Sequence, residues 1–436
     1  MKQYSDIKIV LLSIEGNSER VKRQFSPPFG ILIAATVLAD YGFNIIIRHL
    51  IDHKGIEREL EDICSGATAV GFSTMTSSNL ISTIKATRIV KENGYYTFWG
   101  GIHATLLPEI SLKESSLDAV LRGEAESNLY QFVLWRLGKS EPTEVKGLCY
   151  KNSDGEIYIS DIPNPVPELK LSHHSFHLID LNPYLEKEKD PSNAMNYIKK
   201  RMLPFLTSKG CNKKCTFCYN SVISHHKWRG YDLGNVFTEM DWIIDNYKVE
   251  GWLFYDDNFF CDSERAWKIL DRYKMPSFVE IPLEKINKLF LEKAKKLSVE
   301  RIFIGIESGS DIILKRLKKG FDRKQINEKI QLLKVADIQA ELSFMMLFPH
   351  ESPEDLESTL CLIDELTQFE NISIAGPKIY TPYPGTQLYK ELVISGWKPP
   401  LTNEEWSQFE RHISPFKTGF NLSARHLSIL ESRRLI

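Results

Sequence analysis

The sequence predicts an α/β protein in which an N-terminal doubly wound parallel sheet is followed by an open, partial (β/α)6 barrel. Three observations support this prediction. The chain has 436 residues, too many for one compact core. Short β-rich runs alternate with helical runs in two separate stretches, as expected for parallel sheets. A proline-rich segment, residues 161–170, lies between the two stretches.

The first domain is predicted at residues 1–140, where five strand-like runs occur. They read IKIVLL, NIIIRHL, TAVGFSTM, YTFWGG and DAVLRG. Two of the intervening helical runs end close to Gly42 and Gly94, at positions typical of C-terminal caps. In such a doubly wound sheet, ligands bind beyond the carboxyl ends of the strands.

Residues 141–195 are predicted to form a hairpin and a linker. The hairpin lies at residues 147–160, around an Asn-Ser-Asp-Gly turn. A second strand and helix series is predicted at 196–395, with six strand candidates: LPFLTS, GWLFYDD, SFVEIP, RIFIGIES, AELSFMMLF and ISIAGPKIY. Six βα units are too few to close an eight-stranded barrel, so we expect a partial one. Residues 396–436 form a short C-terminal segment of helical character.

Helix boundaries are predicted at two places in this second series. Residues 283–297 show a helical pattern. Residues 352–369 do as well, with Ser352 as N-cap and Asp355 three residues later as an approximate capping box.

Composition excludes several classes of protein. The net charge is −2, and the pI of about 6.6 argues against a nucleic-acid-binding face. The longest apolar stretch is interrupted by Asp40 and Gly42, well short of the ~20 residues that a membrane span needs. The N-terminus lacks the pattern of a signal peptide. We therefore expect a cytoplasmic protein, in which clustered cysteines are metal ligands or catalysts rather than disulfides.

Three of the seven cysteines, Cys211, Cys215 and Cys218, form a C-x3-C-x2-C pattern directly after the strand LPFLTS and Gly210. This position is the carboxyl end of the first barrel strand, where catalytic groups of such barrels lie. One interpretation is a structural zinc site with His225 or His226 as fourth ligand. The other is a 4Fe-4S cluster on three thiolates, with one iron left open to coordinate another molecule.

The cysteine loop, including Phe217, resembles the signature of the radical SAM superfamily. The resemblance implies that the open iron binds S-adenosylmethionine (SAM), whose reductive cleavage yields a 5′-deoxyadenosyl radical. LFYDDNFF resembles the family's second-strand motif, which implies that Asp256 and Asp257 lie near the SAM ammonium group. FIGIESGS places Glu307 at the carboxyl end of the fourth strand, where it can accept hydrogen bonds from the ribose hydroxyls.

The N-terminal half resembles the cobalamin-binding domain of B12-dependent radical SAM enzymes. The resemblance rests on four stretches in order: PPFGILIAATVLADYG, VGFSTMTSS, WGGIHATLLPE and LRGEAES. It implies a Rossmann-like cobalamin domain ahead of a TIM-type partial barrel. The expected cobalamin contacts are small or polar residues at strand ends: Ser73, Thr74, Thr76, Gly100, Gly101, His103, Thr105, Gly123 and Glu124. His103 is alternatively a cobalt ligand or a structural histidine.

Three features depart from what these families show. The D-x-H-x-x-G motif of many B12 proteins is absent, so we expect no histidine below cobalt. The turn after the fifth barrel strand, residues 347–352, lacks the two glycines of the family pattern. The third strand carries Glu280 and no arginine.

The resemblance implies a cobalamin-dependent radical SAM methyltransferase. It would move a methyl group through methylcobalamin to an unactivated carbon, or to phosphorus, of a small-molecule substrate. The expected partner is an external electron donor of the flavodoxin or ferredoxin type. Two alternatives stay open at this point: a B12-dependent radical SAM cyclase, ring-contracting enzyme or oxidoreductase without methyl transfer, and a non-catalytic cobalamin-binding sensor.

Overall fold

The computed structural model describes residues 4–17, 26–77, 79–152, 154–169, 175–185, 201–336, 338–409, 418–433 and 435. The chain divides into two compact units. The first comprises Met1–Glu188, Tyr231–Trp242 and Pro400–Glu410, and the second comprises Lys189–Gly230, Ile243–Pro399 and Arg411–Ile436. Nothing in the sequence indicated that part of the C-terminal segment belongs to the first unit.

The first unit is built on a seven-stranded sheet of order β2-β1-β3-β4-β5-β6-β7. Its strands are β1 (Lys8–Glu15), β2 (Asn44–Ile51), β3 (Ala69–Ser73), β4 (Thr97–Gly100), β5 (Ala119–Leu121), β6 (Leu148–Lys151) and β7 (Ile157–Tyr158). Strands β1 to β5 are parallel. The order 2-1-3-4-5 is that of a doubly wound sheet, whose direction reverses between β1 and β3. The predicted doubly wound sheet is therefore confirmed.

Helices connect these strands. They are α1 (Phe29–Asp40), α2 (Ile56–Cys64), α3 (Asn79–Glu92), α4 (Ile102–Leu106), α5 (Pro108–Leu112), α6 (Ala125–Arg136) and α7 (Asn182–Leu185). Gly42 and Gly94 follow α1 and α3 with φ angles of 81° and 86°, the left-handed conformation expected of C-terminal caps.

The predicted hairpin is present, but it is part of the sheet. Strand β6 pairs antiparallel with β5, and β7 pairs antiparallel with β6. The Asn152 side chain accepts hydrogen bonds from the backbone of Asp154 and Glu156 and so closes the turn. The hairpin thus covers the edge that β5 would otherwise expose. Residues 186–195 of the predicted linker lie outside the described residues.

The second unit contains six parallel strands in sequential order: β8 (Met202–Phe205), β11 (Gly251–Phe254), β12 (Ser277–Glu280), β13 (Val299–Glu307), β14 (Gln339–Met346) and β15 (Ile372–Ile379). Two short strands, β9 (Ser208–Lys209) and β10 (Arg229–Gly230), form a separate antiparallel pair. All six predicted barrel strands are confirmed, and a parallel sheet of six strands is the predicted partial barrel.

The remaining helices are α8 (Asn220–Ile223), α9 (Leu233–Tyr247), α10 (Ser263–Tyr273), α11 (Lys288–Lys296), α12 (Asp311–Leu317), α13 (Arg323–Val335), α14 (Pro353–Leu366), α15 (Gln387–Ile394), α16 (Asn403–Trp406) and α17 (Ala424–Ser432). The capping box of Ser352 and Asp355 at α14 is present. The helix predicted at 283–297 is shorter than expected, because the Asn287 side chain accepts from Phe290 N and starts α11 at Lys288. Among the described helices, none is both long and apolar enough to cross a bilayer.

Candidate active site

The cysteine loop follows β8 and β9 at the carboxyl end of the first barrel strand, as predicted. Gly210 starts it with a φ of 78°, and a Cβ atom there would lie 2.2 Å from the carbonyl oxygen of Lys227. Only glycine fits this turn. Cys211, Cys215 and Cys218 are all partly exposed free thiols.

Three consecutive residues after β11 hold the first half of this loop. Asp256 is fully buried and accepts hydrogen bonds from Thr207 N (3.1 Å), Thr207 Oγ1 (2.7 Å) and the Ser208 hydroxyl. Asp257 accepts from Gly210 N at 2.9 Å. We call residues 256–258 the loop clamp. The family resemblance implied that Asp256 and Asp257 lie near the SAM ammonium group, and this contact stays a prediction. Protein donors already occupy the oxygens of Asp256.

The third residue of the loop clamp is Asn258, which the sequence analysis did not single out. Its Nδ2 atom lies 3.8 Å from Cys211 Sγ and 3.4 Å from Asn212 Oδ1. Cys261 N in turn donates to Asn258 O at 3.1 Å. Cys261, isolated in sequence, therefore lies beside the cysteine loop.

The second half of the loop is fastened by Thr216. Its backbone N donates to Leu317 O at 3.2 Å, its hydroxyl donates to Arg316 O at 3.1 Å, and its own carbonyl accepts from Leu388 N at 3.2 Å. Phe217 packs against Phe348 with ring centroids 6.2 Å apart. Both ends of the loop are thus positioned by neighbouring barrel elements.

The electrostatics of the three cysteines fit a positively charged iron–sulfur group. Burial, with smaller contributions from Cys215, Asp257 and Cys211, raises the pKa of Cys218 to about 12. Burial also raises the pKa of Cys211, with Asp257 and Cys215 adding to it. A nearby cation would favour the thiolate form of Cys211 and Cys218.

The zinc alternative requires a fourth ligand from His225 or His226. His226 Nδ1 lies 2.7 Å from the carbonyl oxygen of Lys213, inside the cysteine loop. Among the described residues, no three His, Cys, Asp or Glu side chains, the three cysteines of the loop included, are already grouped closely enough to hold a metal ion, so this geometry favours neither zinc nor a cluster.

A buried ion pair, missed from the sequence, lies next to this loop. Lys319 Nζ is 3.3 Å from Glu307 Oε1, and the two side chains are only 11% and 10% exposed. Glu307 has a φ of 73° at an irregularity of β13. Burial alone lowers the pKa of Lys319, but Glu307 and the thiols of Cys215 and Cys218 raise it overall. Lys319 is therefore a fixed cation beside the cysteines.

Glu280 brings a further acidic group to the barrel interior. Burial raises its pKa to about 8, and Asp257, Asp256 and Glu307 raise it too, whereas Lys378 lowers it. These neighbours follow or belong to β11, β13 and β15, so the carboxyl group faces the inside of the barrel. The raised pKa favours the protonated form of Glu280, which can donate a hydrogen bond.

The turn after β14 keeps a left-handed backbone although it lacks glycine. Leu347 and His350 have φ angles of 60° and 64°. The buried Glu351 carboxylate accepts from Leu347 N, and Phe348 packs against Tyr380 at 5.7 Å between centroids. Leu347 and His350 thus adopt, at the positions of the two missing glycines, the left-handed conformation that glycine takes most readily.

In the first unit, the carboxyl edge of the sheet joins the ends of β3 and β4. Thr74 Oγ1 donates to Gly100 O at 2.7 Å, and His103 N donates to Thr74 O at 3.2 Å. A Cβ at Gly101, which has a φ of 92°, would lie 2.5 Å from Thr74 O. Gly101 is thus required for packing. At Gly100 the nearest atom to an added Cβ would be Leu121 O at 3.9 Å, so packing does not require glycine at this position.

His103 is completely buried, and both ring nitrogens are occupied. Nδ1 lies 3.0 Å from the Thr76 hydroxyl, and Nε2 lies 3.0 Å from Asn403 Oδ1. Burial lowers its pKa to about 4. These contacts are those of a structural histidine, and a contact with cobalamin or cobalt would require that one of them be broken.

The other predicted cobalamin residues lie at the same edge. Gly123 N donates to Thr105 Oγ1 at 3.0 Å, and Glu124 Oε2 accepts from Val166 N at 3.3 Å. Ser73 is partly buried at the last position of β3. Their roles as cobalamin contacts stay predictions. Among the nine expected cobalamin residues, Ser73 and Gly100 lie at strand ends and have the fewest contacts with other protein groups.

Two family models match the chain. The radical SAM superfamily model matches residues 205–363, and the B12 binding domain model matches residues 21–133. The first range contains the cysteine loop, the loop clamp and Glu307, and the second contains all nine of the expected cobalamin residues.

Curated relatives include three whose names state a reaction. An uncharacterized methyltransferase of Pyrococcus horikoshii is 27% identical over 89% of this chain and 83% of its own length. Cytidylyl-2-hydroxyethylphosphonate methyltransferase of Streptomyces wedmorensis is 23% identical over 86% and 79%. Anaerobic magnesium-protoporphyrin IX monomethyl ester cyclase of Cereibacter sphaeroides is 24% identical over 81% of this chain but only 57% of its own.

A solved structure shares the fold of the whole chain. The radical S-adenosylmethionine methyltransferase TsrM of Kitasatospora setae, with tryptophan substrate and a SAM analog bound, superposes with a TM-score of 0.71. The match covers 98% of this chain and 89% of TsrM at 13% identity.

Proposed function

The chain belongs to the radical SAM superfamily, in the group that carries a B12-binding domain, and we propose that it is a cobalamin-dependent methyltransferase. Its cofactors are a 4Fe-4S cluster, SAM and cobalamin. Among the three curated relatives named above, the one with the highest coverage of both chains is named a methyltransferase. The observation that carries the proposal is the cysteine loop, which the barrel holds at both ends and beside which Lys319 provides a positive charge.

When bound, the cofactors supply the methyl group and the electron that cleaves SAM into a radical. The protein supplies position and charge. Cys211, Cys215 and Cys218 hold the cluster. Lys319 would offset the negative charge of the thiolates, and it pairs with Glu307 at the end of β13, where a carboxylate can accept from the ribose hydroxyls. Burial raises the pKa of Glu280, and in its protonated form this group would offer a hydrogen-bond donor inside the barrel.

We further propose a small-molecule substrate and an electron donor of the flavodoxin or ferredoxin type. All seven cysteines are free thiols, which suits a reducing, cytoplasmic setting.

Methyl donation can be tested before the substrate is identified. Each methyl group that leaves SAM yields S-adenosylhomocysteine, and each radical cleavage yields 5′-deoxyadenosine. The anaerobically reconstituted protein, supplied with hydroxocobalamin, SAM and a strong reductant, should form both. Cys215→Ala should lose 5′-deoxyadenosine.

The alternatives give different products. A cyclase is the second candidate, because a cyclase is among the relatives, and it would give 5′-deoxyadenosine without S-adenosylhomocysteine. A non-catalytic sensor would give neither. Either result would contradict the methyltransferase proposal.

A further inference from the structure

We propose that Asn258 is a positioning residue of the cluster: its side-chain amide donates a hydrogen bond to Cys211 Sγ and thereby favours the reduced state of the cluster. The inference rests on the proposed function, because it requires a cluster on Cys211. It concerns a residue that neither the sequence motifs nor the family resemblance assigned.

The first observation is the geometry of the amide. Asn258 is only 4% exposed, and its Nδ2 atom lies 3.8 Å from Cys211 Sγ. This distance is within the range for a hydrogen bond to sulfur, and the same nitrogen also approaches Asn212 Oδ1 at 3.4 Å. The backbone of Asn258 is fixed by Cys261 N, which donates to its carbonyl. The amide is therefore held against the first cluster ligand.

The second observation is that the other half of the same amide has no partner. Within the described residues, Asn258 Oδ1 is buried and accepts no hydrogen bond. Leaving a buried amide oxygen without a hydrogen bond costs free energy. The contacts of Asn258 Nδ2 with Cys211 and Asn212 offset this cost and hold the side chain in this orientation. Hydrogen bonds to an ionised acceptor are the strong ones. The arrangement is therefore most favourable when Cys211 is a thiolate bound to the cluster.

The chemical consequence concerns a one-electron reduction. The electron taken up by the cluster increases the negative charge on the ligand sulfurs. A hydrogen-bond donor at Cys211 stabilises this reduced state more than the oxidised state, which raises the reduction potential. With the cluster and SAM bound, that electron would go to the SAM sulfonium group, and cleavage of its carbon–sulfur bond would give methionine and the 5′-deoxyadenosyl radical. Asn258 would thus adjust the step that starts the reaction without touching SAM.

The test is an anaerobic redox titration of reconstituted protein, followed by electron paramagnetic resonance. Asn258→Leu keeps the approximate shape and removes the donor, and we expect it to shift the reduction equilibrium about tenfold toward the oxidised cluster. For a one-electron couple this is a fall of about 59 mV. Asn258→Asp, which places an acceptor against the sulfur, should shift it at least as far.

Asn212→Ala is the matched control. It removes the second contact of the Asn258 amide but leaves the sulfur contact, so its potential should equal that of the wild type. A shift as large as that of Asn258→Leu would show that the amide acts by holding the loop and would overturn the proposal.

Iron and sulfide analysis accompanies each titration. An unchanged potential in fully loaded Asn258→Leu overturns the proposal. So does a failure of both Asn258 variants to load iron while their circular dichroism stays native, because Asn258 would then be needed for assembly. A wild type that binds no iron and sulfide would instead contradict the proposed function itself.

Discussion

At the scale of single residues, the site depends on a charge pair that no motif indicates. Lys319 and Glu307 are twelve positions apart in sequence. Glu307 ends β13 and Lys319 lies in a loop, yet their side chains are in contact and almost completely buried. A buried charge is tolerated only when it is paired. Glu307 could be identified from its strand-end position, whereas Lys319 required the three-dimensional arrangement.

Lys319→Met should destabilise the protein by about 3–5 kcal/mol, because it leaves Glu307 buried without a partner. Urea unfolding of the protein prepared without iron measures this cost apart from any effect on the cluster. The double variant Lys319→Met/Glu307→Gln should recover most of the stability. If the double variant were as unstable as the single one, the cost would come from lost packing and the pairing argument would be wrong.

Glu351 should make stability depend on pH. Burial raises its folded-state pKa to about 8 from a usual value of 4.5, with a smaller contribution from Asp355. The folded state then binds the proton more tightly than the unfolded state, so the free energy of unfolding falls as pH rises from about 4.5 to 8.

Glu351→Gln cannot ionise but keeps an acceptor for Leu347 N. The stability of this variant relative to the wild type should therefore increase between pH 5.5 and pH 8, by at most about 1.4 kcal/mol for each pH unit. Thermal melts of both proteins at the two pH values measure the difference. A difference that does not change with pH would contradict the buried state of this carboxyl group.

At the scale of elements, the turn after β14 takes a left-handed backbone at two residues that are not glycine. Leu347 and His350 occupy the positions of the two missing glycines, and Glu351 and Phe348 hold the turn. A sequence motif based on glycine cannot reveal this, because the stabilising contacts come from other side chains. An effect of the missing glycines on the contacts with SAM stays a prediction.

His350→Gly should stabilise the protein by about 0.5–1 kcal/mol, because a left-handed conformation costs roughly 1–2 kcal/mol for a residue with a Cβ. His350 is exposed, so little packing is lost. His350→Val should have the opposite effect. The matched control is Lys54→Gly, at an exposed position without a positive φ, which should be destabilising by about 0.4–1 kcal/mol. Equal effects of glycine at both positions would argue against backbone strain at His350.

Helix α16 is the element that the sequence placed least well. Asn403, at its first position, bonds to His103 and donates to Ile110 O at 3.1 Å, so this short helix completes the first unit. The contact joins residues 300 positions apart. Neither residue has an unusual local sequence, so only the folded chain reveals it.

Asn403→Ala should destabilise the first unit by about 1–3 kcal/mol, because His103 Nε2 and Ile110 O lose their partner in a buried place. Amide hydrogen exchange should increase across α4 and α5 and stay unchanged in β11 to β14. Glu404→Gln weakens a half-exposed pair with Arg88 and should change stability by no more than about 0.5 kcal/mol. Uniform acceleration over the whole chain would instead indicate global unfolding.

At the scale of the whole molecule, the strand and helix alternation was predictable because each element carries its own periodicity and boundary signals. All five N-terminal parallel strands, the hairpin and six barrel strands follow from local sequence. The spacing of the three cysteines located the loop, and the resemblance to the radical SAM superfamily favoured a cluster over zinc. Contacts that combine distant segments, such as Asn258 with Cys211 or Asn403 with His103, could not be predicted, because no local pattern records them.

The two units should respond to different cofactors. A ligand at one hundred times its Kd stabilises the state that binds it by about 2.7 kcal/mol. We therefore expect hydroxocobalamin to slow hydrogen exchange in β1 to β5, and SAM, added to cluster-loaded protein, to slow it in β8 to β14. The same residues protected by both cofactors would contradict the assignment of one cofactor to each unit.

The loop clamp also bears on what happens when the enzyme meets oxygen. Asp256, Asp257 and Asn258 fasten residues 207–212 to a strand end through ordinary hydrogen bonds, so the backbone around Cys211 is held by the protein itself and not by iron. Oxidative loss of the iron–sulfur cluster should then leave the first half of the cysteine loop folded. Damage of this kind can be repaired in place, by delivery of fresh iron and sulfide to a chain that never has to refold.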